Sequence, residues 1–188
     1  MRLFVGVPLP SDVAAAAFAC LPDLPGVRRV RPELMHVTLA FLGSVEDDRL
    51  PEVVAAVREA CRGRARFEVS LESLGRFPAE GSPRIVWLGI VRGAPELIRL
   101  ADGLRTAIAR RELPFDAKPF RAHVTLARVG DRADHATTRA LASLVARART
   151  PALAFRAETV VCFESVVSSK GPRYTPRATV SLEVGEER

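Results

Sequence analysis

The pentapeptide His-Val-Thr-Leu-Ala occurs twice, at residues 36–40 and 123–127, and after two further residues each copy is followed by glycine, Gly43 and Gly130. The chain has three histidines, and two of them, His36 and His123, open these copies. Side chains alternate along an extended segment, so His36 shares a face with Thr38 and His123 with Thr125, while Val and Leu turn the other way. Two imidazoles and two hydroxyls on one surface are the parts for an in-line displacement at phosphorus. Imidazole titrates near ~6.5, so one ring serves as base towards the attacking oxygen while the other, shifted by its surroundings, serves as acid towards the leaving oxygen. The hydroxyls donate to the non-bridging oxygens as charge redistributes. This scheme calls for no metal and no cofactor.

A single His-x-Thr would more often be a half-buried strand pair, because Thr and Val favour strands for packing reasons alone. Packing rarely demands the same histidine twice, so the second copy tips the weighing towards one shared site. His135 follows Asp134 at an expected helix start and is assigned no role. No third His, Cys or carboxylate stands at a recognisable ligand spacing from His36 and His123, which disfavours a metal site.

The elements that would position the pair repeat in order. Residues 2–7 read as an apolar strand, closed by Pro8 and Pro10 before Ser11, an expected N-cap for a helix over about 12–21. The first motif strand runs to Leu42 and is expected to break at Gly43; residues 48–61 show amphipathic spacing and 67–74 alternate as a strand. In the second half, 84–91 reads as a strand, 95–111 as a helix, 122–129 as the second motif strand and 134–148 as a helix. An extended segment is expected over 153–163, and an additional strand over 173–184 after a loop holding Gly171 and Pro172. The pattern predicts one domain over residues 1–188, with a first repeat of about 1–77, a second of about 84–188, and 78–83 as the linker. Pseudo-twofold packing of such repeats would bring both histidines to one cleft.

Composition is that of a folded domain with 27% charged residues and a net charge of +6, and the excess is arginine, since only Lys118 and Lys170 are lysines. Arginine matches phosphate oxygens in a two-pronged way that lysine does not, which fits a phosphorylated partner as well as it fits a general compositional habit. Cys20, Cys61 and Cys162 lie far apart without a C-x-x-C pair, arguing for reduced thiols. No apolar run reaches the roughly 18 residues of a membrane span. These features predict a soluble cytoplasmic protein, expected as a monomer.

The two motifs, with Phe41-Leu42-Gly43 after the first and Arg128 after the second, resemble the paired H-x-T-x signatures of the 2H phosphoesterase superfamily. Further stretches resemble the RNA 2′,3′-cyclic phosphodiesterases, also called 2′-5′ RNA ligases: RLFVGVPLP at 2–10, RIVWLGI at 84–90, KPFRAHVTLAR at 118–128, and FES and GPRYT near the end. The resemblance implies an α+β fold, a bilobal duplicated unit of antiparallel sheets with outer helices around a central groove. It also implies metal-independent opening of a terminal 2′,3′-cyclic phosphate to a 2′-phosphate. RNA ends or small cyclic nucleotides are the expected partners, and reversible 2′-5′ joining is a related activity. His36 and Thr38 match the first signature and His123 and Thr125 the second, with His36 expected as acid and His123 as base. Arg128 matches a phosphate-contacting arginine of the family and Phe41 an aromatic beside the site, although strict alternation would turn both away from the histidines. Where relatives often carry an aromatic seven residues before the first histidine, this chain has Arg29, so Arg29 or Arg31 is expected to touch an RNA backbone. Tyr174 is either a base-stacking residue or an ordinary strand tyrosine. The alternative to an enzyme is a non-catalytic RNA-binding module built on the same basic groove.

Overall fold

The structure is a computed structural model that describes residues 1–169 and 171–184. In chain order it consists of β1 (Arg2–Pro8), α1 (Ser11–Ala19), β2 (Val27–Arg29), β3 (His36–Ser44), α2 (Leu50–Cys61), β4 (Phe67–Phe77), β5 (Ile85–Arg92), α3 (Ala94–Ala109), β6 (His123–Val129), α4 (His135–Arg147), β7 (Leu153–Ala157), β8 (Thr159–Ser168) and β9 (Gly171–Ser181). The strands form a single antiparallel sheet in the order β7-β4-β5-β6-β3-β1-β8-β9, with β2 also alongside β6. The fold is thus α+β with helices on an antiparallel sheet, as the repeat pattern predicts.

Helices form where apolar spacing and end signals agree. Val53, Ala56, Val57 and Ala60 make one buried stripe on α2, and Leu97, Leu100, Ala101, Leu104 and Ile108 make another on α3, which packs against α2. Burial of each such Leu or Ile stabilises by roughly 1.5–3 kcal/mol. Proline in the first turn suits both helices, and Gly93 before α3 has φ +83°, a conformation that favours glycine. For α4, the Asp134 side chain accepts the Thr137 N–H at 2.7 Å.

The seam of the sheet is the pairing of β3 with β6, in register at Val37 and Val124, the second residues of the two motifs. Equivalent positions therefore face each other across the pseudo-twofold axis. The last strand of each repeat crosses over: β4 pairs with β5, and β8 pairs with β1. Residues 78–84 accordingly join two paired strands as a hairpin loop.

Several expectations are corrected. Residues 153–163 make two strands rather than one, because the chain leaves its pairing with β4 at Ala157 and takes up β1 from Leu3 to Gly6 as its new partner. Gly171 and Pro172 lie inside β9, opposite Ser168 and Val167, rather than in the loop before it. Ser11 is the first helical residue with Pro10 at the cap and no side-chain cap bond. Gly43 does not end β3; with φ +73° it absorbs a bulge at which Leu42 is left without a partner on β1. Strand β2 spans only 3 residues, too few for alternation to show in the sequence.

Candidate active site

On β3 and β6 the buried members, Val37, Leu39 and Leu42 with Val124, Leu126 and Val129, pack into the core. His36, Thr38, His123 and Thr125 are half-buried on the opposite face. Antiparallel register about Val37 and Val124 sets His36 against Thr125 and Thr38 against His123. The two histidines are then diagonal cross-strand neighbours, whose backbones stand roughly 7–8 Å apart. Both histidines and both threonines occupy one patch of sheet.

Each imidazole is held in the same way. His36 Nδ1 lies 2.7 Å from the Leu34 carbonyl oxygen, and His123 Nδ1 lies 2.7 Å from that of Arg121, in each case two residues back. A carbonyl only accepts, so Nδ1 carries the proton and Nε2 is left for chemistry. The segment that delivers this carbonyl contains Pro32 in one copy, where it opens a single helical turn, and Pro119 in the other, four residues before the histidine in both. That shared offset was legible in the sequence and extends the repeat upstream.

Burial pushes the His36 imidazole down from its ordinary value to about 4, aided by Arg128 and His123 and opposed by the Leu34 hydrogen bond. His123 is lowered in the same sense, first by burial and then by Arg128 and Arg121, against the Arg121 carbonyl. Both rings are thus neutral at pH 7 in the ligand-free protein. Arg128, exposed on the strand that carries His123, adds a positive charge that bears on both imidazoles.

The placement of Arg128 has a backbone cause. Between Val86–Ala127 and Trp87–Thr125 the β5–β6 register skips Leu126, and between Val5–Ala40 and Gly6–Thr38 the β1–β3 register skips Leu39. Each motif therefore carries a β-bulge at its leucine, and the side chains after it change face. Leu and Ala are consecutively buried in both copies, after which Phe41 and Arg128 emerge on the histidine face, Phe41 with 48% exposure. Strict alternation, which would turn them away, fails at this extra residue.

The walls around the rings differ. Phe4 lies 4.7 Å from His36 between ring centroids, with Tyr174 edge-on at 5.5 Å and Phe163 at 6.2 Å. His123 meets Phe77 edge-on at 5.3 Å and Trp87 at 6.1 Å. Trp87 lies against Gly75, where a Cβ would overlap the indole ring. Phe4, Phe163, Phe77 and Trp87 were not singled out from sequence, and Tyr174 joins this wall. Arg29, by contrast, turns to the helix side, with its guanidinium 3.8 Å from the Phe18 ring and a 2.7 Å hydrogen bond to the Leu21 carbonyl, so it is structural rather than RNA-facing. Arg31 is exposed at the rim beside Glu33 and the Pro172 carbonyl.

A profile of the 2′-5′ RNA ligase superfamily matches residues 8–167. The chain belongs to that superfamily. It is an enzyme of the 2H type, a hydrolase family. A superfamily member from Archaeoglobus fulgidus, named RNA 2′,3′-cyclic phosphodiesterase, is 37% identical over 132 residues, covering 69% of this chain and 73% of its own. A Thermus thermophilus protein of the same name is 38% identical over 137 residues, 68% of each chain. A crystal structure of a Thermus thermophilus protein superposes over 100% of both chains with a TM-score of 0.79 and 32% identity. Within this 2H member, burial pushes the Cys61 and Cys162 thiols up to about 11, far from the range of a nucleophile. Among the described residues no group of three His, Cys, Asp or Glu is arranged to hold a metal ion, and no helix is long and apolar enough to cross a membrane.

Proposed function

We propose that the protein opens a terminal 2′,3′-cyclic phosphate on RNA to a 2′-phosphate, without a metal, by two-histidine acid–base catalysis. The observation that carries this reading is the pair of imidazoles on adjacent strands, each fixed through Nδ1 to a backbone carbonyl with Nε2 free. The names of the relatives support the substrate class.

In the reaction, His123 Nε2 takes a proton from water as its oxygen attacks phosphorus. The bond from phosphorus to the 3′ oxygen breaks, and His36 Nε2 delivers a proton to that oxygen. The products are a 2′-phosphate and a 3′-hydroxyl, and the proton taken up at one ring balances the proton lost at the other. Thr38 and Thr125 donate to the non-bridging oxygens, Arg128 neutralises the phosphate, and Phe41 borders the nucleoside. The bound anion raises both histidine pKa values and thereby loads the acid. His36 is taken as the acid and His123 as the base because they stand in the first and second motifs of the family resemblance. With an RNA 5′-hydroxyl in place of water, the same steps join RNA halves by a 2′-5′ bond.

The test is turnover of an RNA oligonucleotide ending in 2′,3′-cyclic phosphate in the presence of EDTA, with products separated by chromatography. A 2′-monophosphate end is expected. A 3′-monophosphate end, or tight salt-sensitive RNA binding with no turnover, would replace this reading, the latter by a non-catalytic RNA-binding module.

A further inference from the structure

The arginine end of the groove carries a second cation that the chemistry above does not use. In the β2–β6 ladder Arg28 is the direct cross-strand partner of Arg128. Its neighbour Arg29 points to α1, so alternation places Arg28 on the histidine face beside Arg128. Both are exposed, and among the described residues neither has a carboxylate or any hydrogen-bond acceptor as partner. Nearby, Arg84 pairs with Asp131 at 2.6 Å and Arg31 with Glu33 at 3.2 Å.

Like charges placed directly opposite on two strands destabilise a sheet. Here no acid relieves the pair, and an anion between or above them would. Arg128 follows the second motif and its charge bears on both imidazoles. Arg28 stands at the same level on the next strand and faces open solvent. At the opposite end of β3 the corresponding surface is Phe41, with its carbonyl taken by the Asp116 N–H at 2.8 Å, which offers a phosphate nothing. A polynucleotide backbone is followed by a positively charged track with bases set against aromatic rings, and the Arg28 side provides two adjacent cations for such a track.

We infer that Arg28, paired with Arg128, binds the phosphodiester one nucleotide before the cyclic end, so that the protein prefers oligonucleotide ends to cyclic mononucleotides. This rests on the proposed function for its reacting end, and adds a subsite that the reaction itself does not need. The discriminating substrates are adenosine 2′,3′-cyclic phosphate and the ribodinucleotide ApA with a 2′,3′-cyclic end. Arg28→Ala is expected to raise KM for the dinucleotide about tenfold with kcat little changed, and to leave mononucleotide turnover within about twofold. Its affinity for the dinucleotide should also lose about one unit of salt slope, and Arg28→Lys should recover part of the loss as a point charge. An equal loss on both substrates, or none on either, overturns the subsite. If the wild-type protein turns over neither substrate, it is the proposed reaction that fails. The subsite is then judged from binding of the 2′-phosphate products: Arg28→Ala weakening only the dinucleotide upholds it, and equal affinities overturn it.

Discussion

The two motif strands are alike at their centre and unlike in their surroundings. Both begin four residues after a proline, both hold Nδ1 on the carbonyl two residues back, and both carry a bulge at leucine. Around His36 stand Phe4, Phe163 and Tyr174, and its strand leads to Phe41; around His123 stand Phe77 and Trp87, and its strand leads to Arg128. In the proposed reaction, what the repeat keeps is what an attacking and a leaving oxygen both require. What it lets diverge is what a directional substrate requires on one side only. Two equivalent imidazoles would have no preferred direction; their walls supply one.

The largest effect should come from removing the shared part. His36→Ala and His123→Ala are each expected to lower kcat by about 10²–10⁴-fold, with the double variant little worse than the poorer single, because the pair acts as a unit. Steady-state kinetics in which one of the two retains full activity would break the equivalence at the centre. Next, Thr38→Val and Thr125→Val should each cost about 10²-fold in kcat with KM nearly unchanged, as expected for donors used in the transition state.

Smaller effects should separate the ends. Arg128→Ala should raise KM by about tenfold or more and reduce the salt dependence of binding, whereas Phe41→Ala should raise KM several-fold without altering the salt slope. Identical salt slopes in the two variants would mean that the ends do not differ in kind.

The pH profile sharpens the same contrast. In the proposed reaction the base must be neutral, so kcat/KM rises with pH through the lowered pKa of His123. The acid must be charged, so it falls as pH rises through that of His36, about 4 in the free protein. The maximum of kcat/KM is therefore expected on the acid side of pH 6.5, and Arg128→Gln should move it upward by removing a charge that opposes both imidazolium forms. A wild-type maximum above about pH 6.5, the ordinary imidazole value, would mean that another group serves as acid. Folding stability follows the same sign: an unfolded histidine takes up its proton near ~6.5, whereas buried His36 does not until about 4, so acidification across this window destabilises the fold, by roughly 1–3 kcal/mol. Denaturant titrations should show a smaller loss in His36→Gln.

Much of this architecture was legible from residues 36–40 and 123–127, because a two-residue period and a repeated histidine are local signals. Helix α2 was equally plain from the spacing of Leu50, Val53, Val54 and Val57, and α3 from a proline near its first turn. Pairing was not legible. Residues 153–163 read as one extended run because a sequence shows that backbone is extended but not which strand lies beside it. The bulges at Leu39 and Leu126 were missed for the same reason: the extra residue exists only relative to β1 and β5, and without it Phe41 and Arg128 face the wrong way. The aromatic walls likewise depend on neighbours distant in sequence, as when Trp87 finds room only against Gly75.

The crossing of β4 to β5 and of β8 to β1 has a consequence for ancestry. A single repeat standing alone would leave the seam edge of its motif strand bare, and its final strand without the partner it has here. Two identical copies would close both gaps by exchanging their last strands, and would bring two histidines to one seam at the same stroke. In the present chain both partners belong to one polypeptide, connected by the short loop 78–84. A single chain can carry different residues in its two halves, as the aromatic flank of His36 and the arginine after the second motif show.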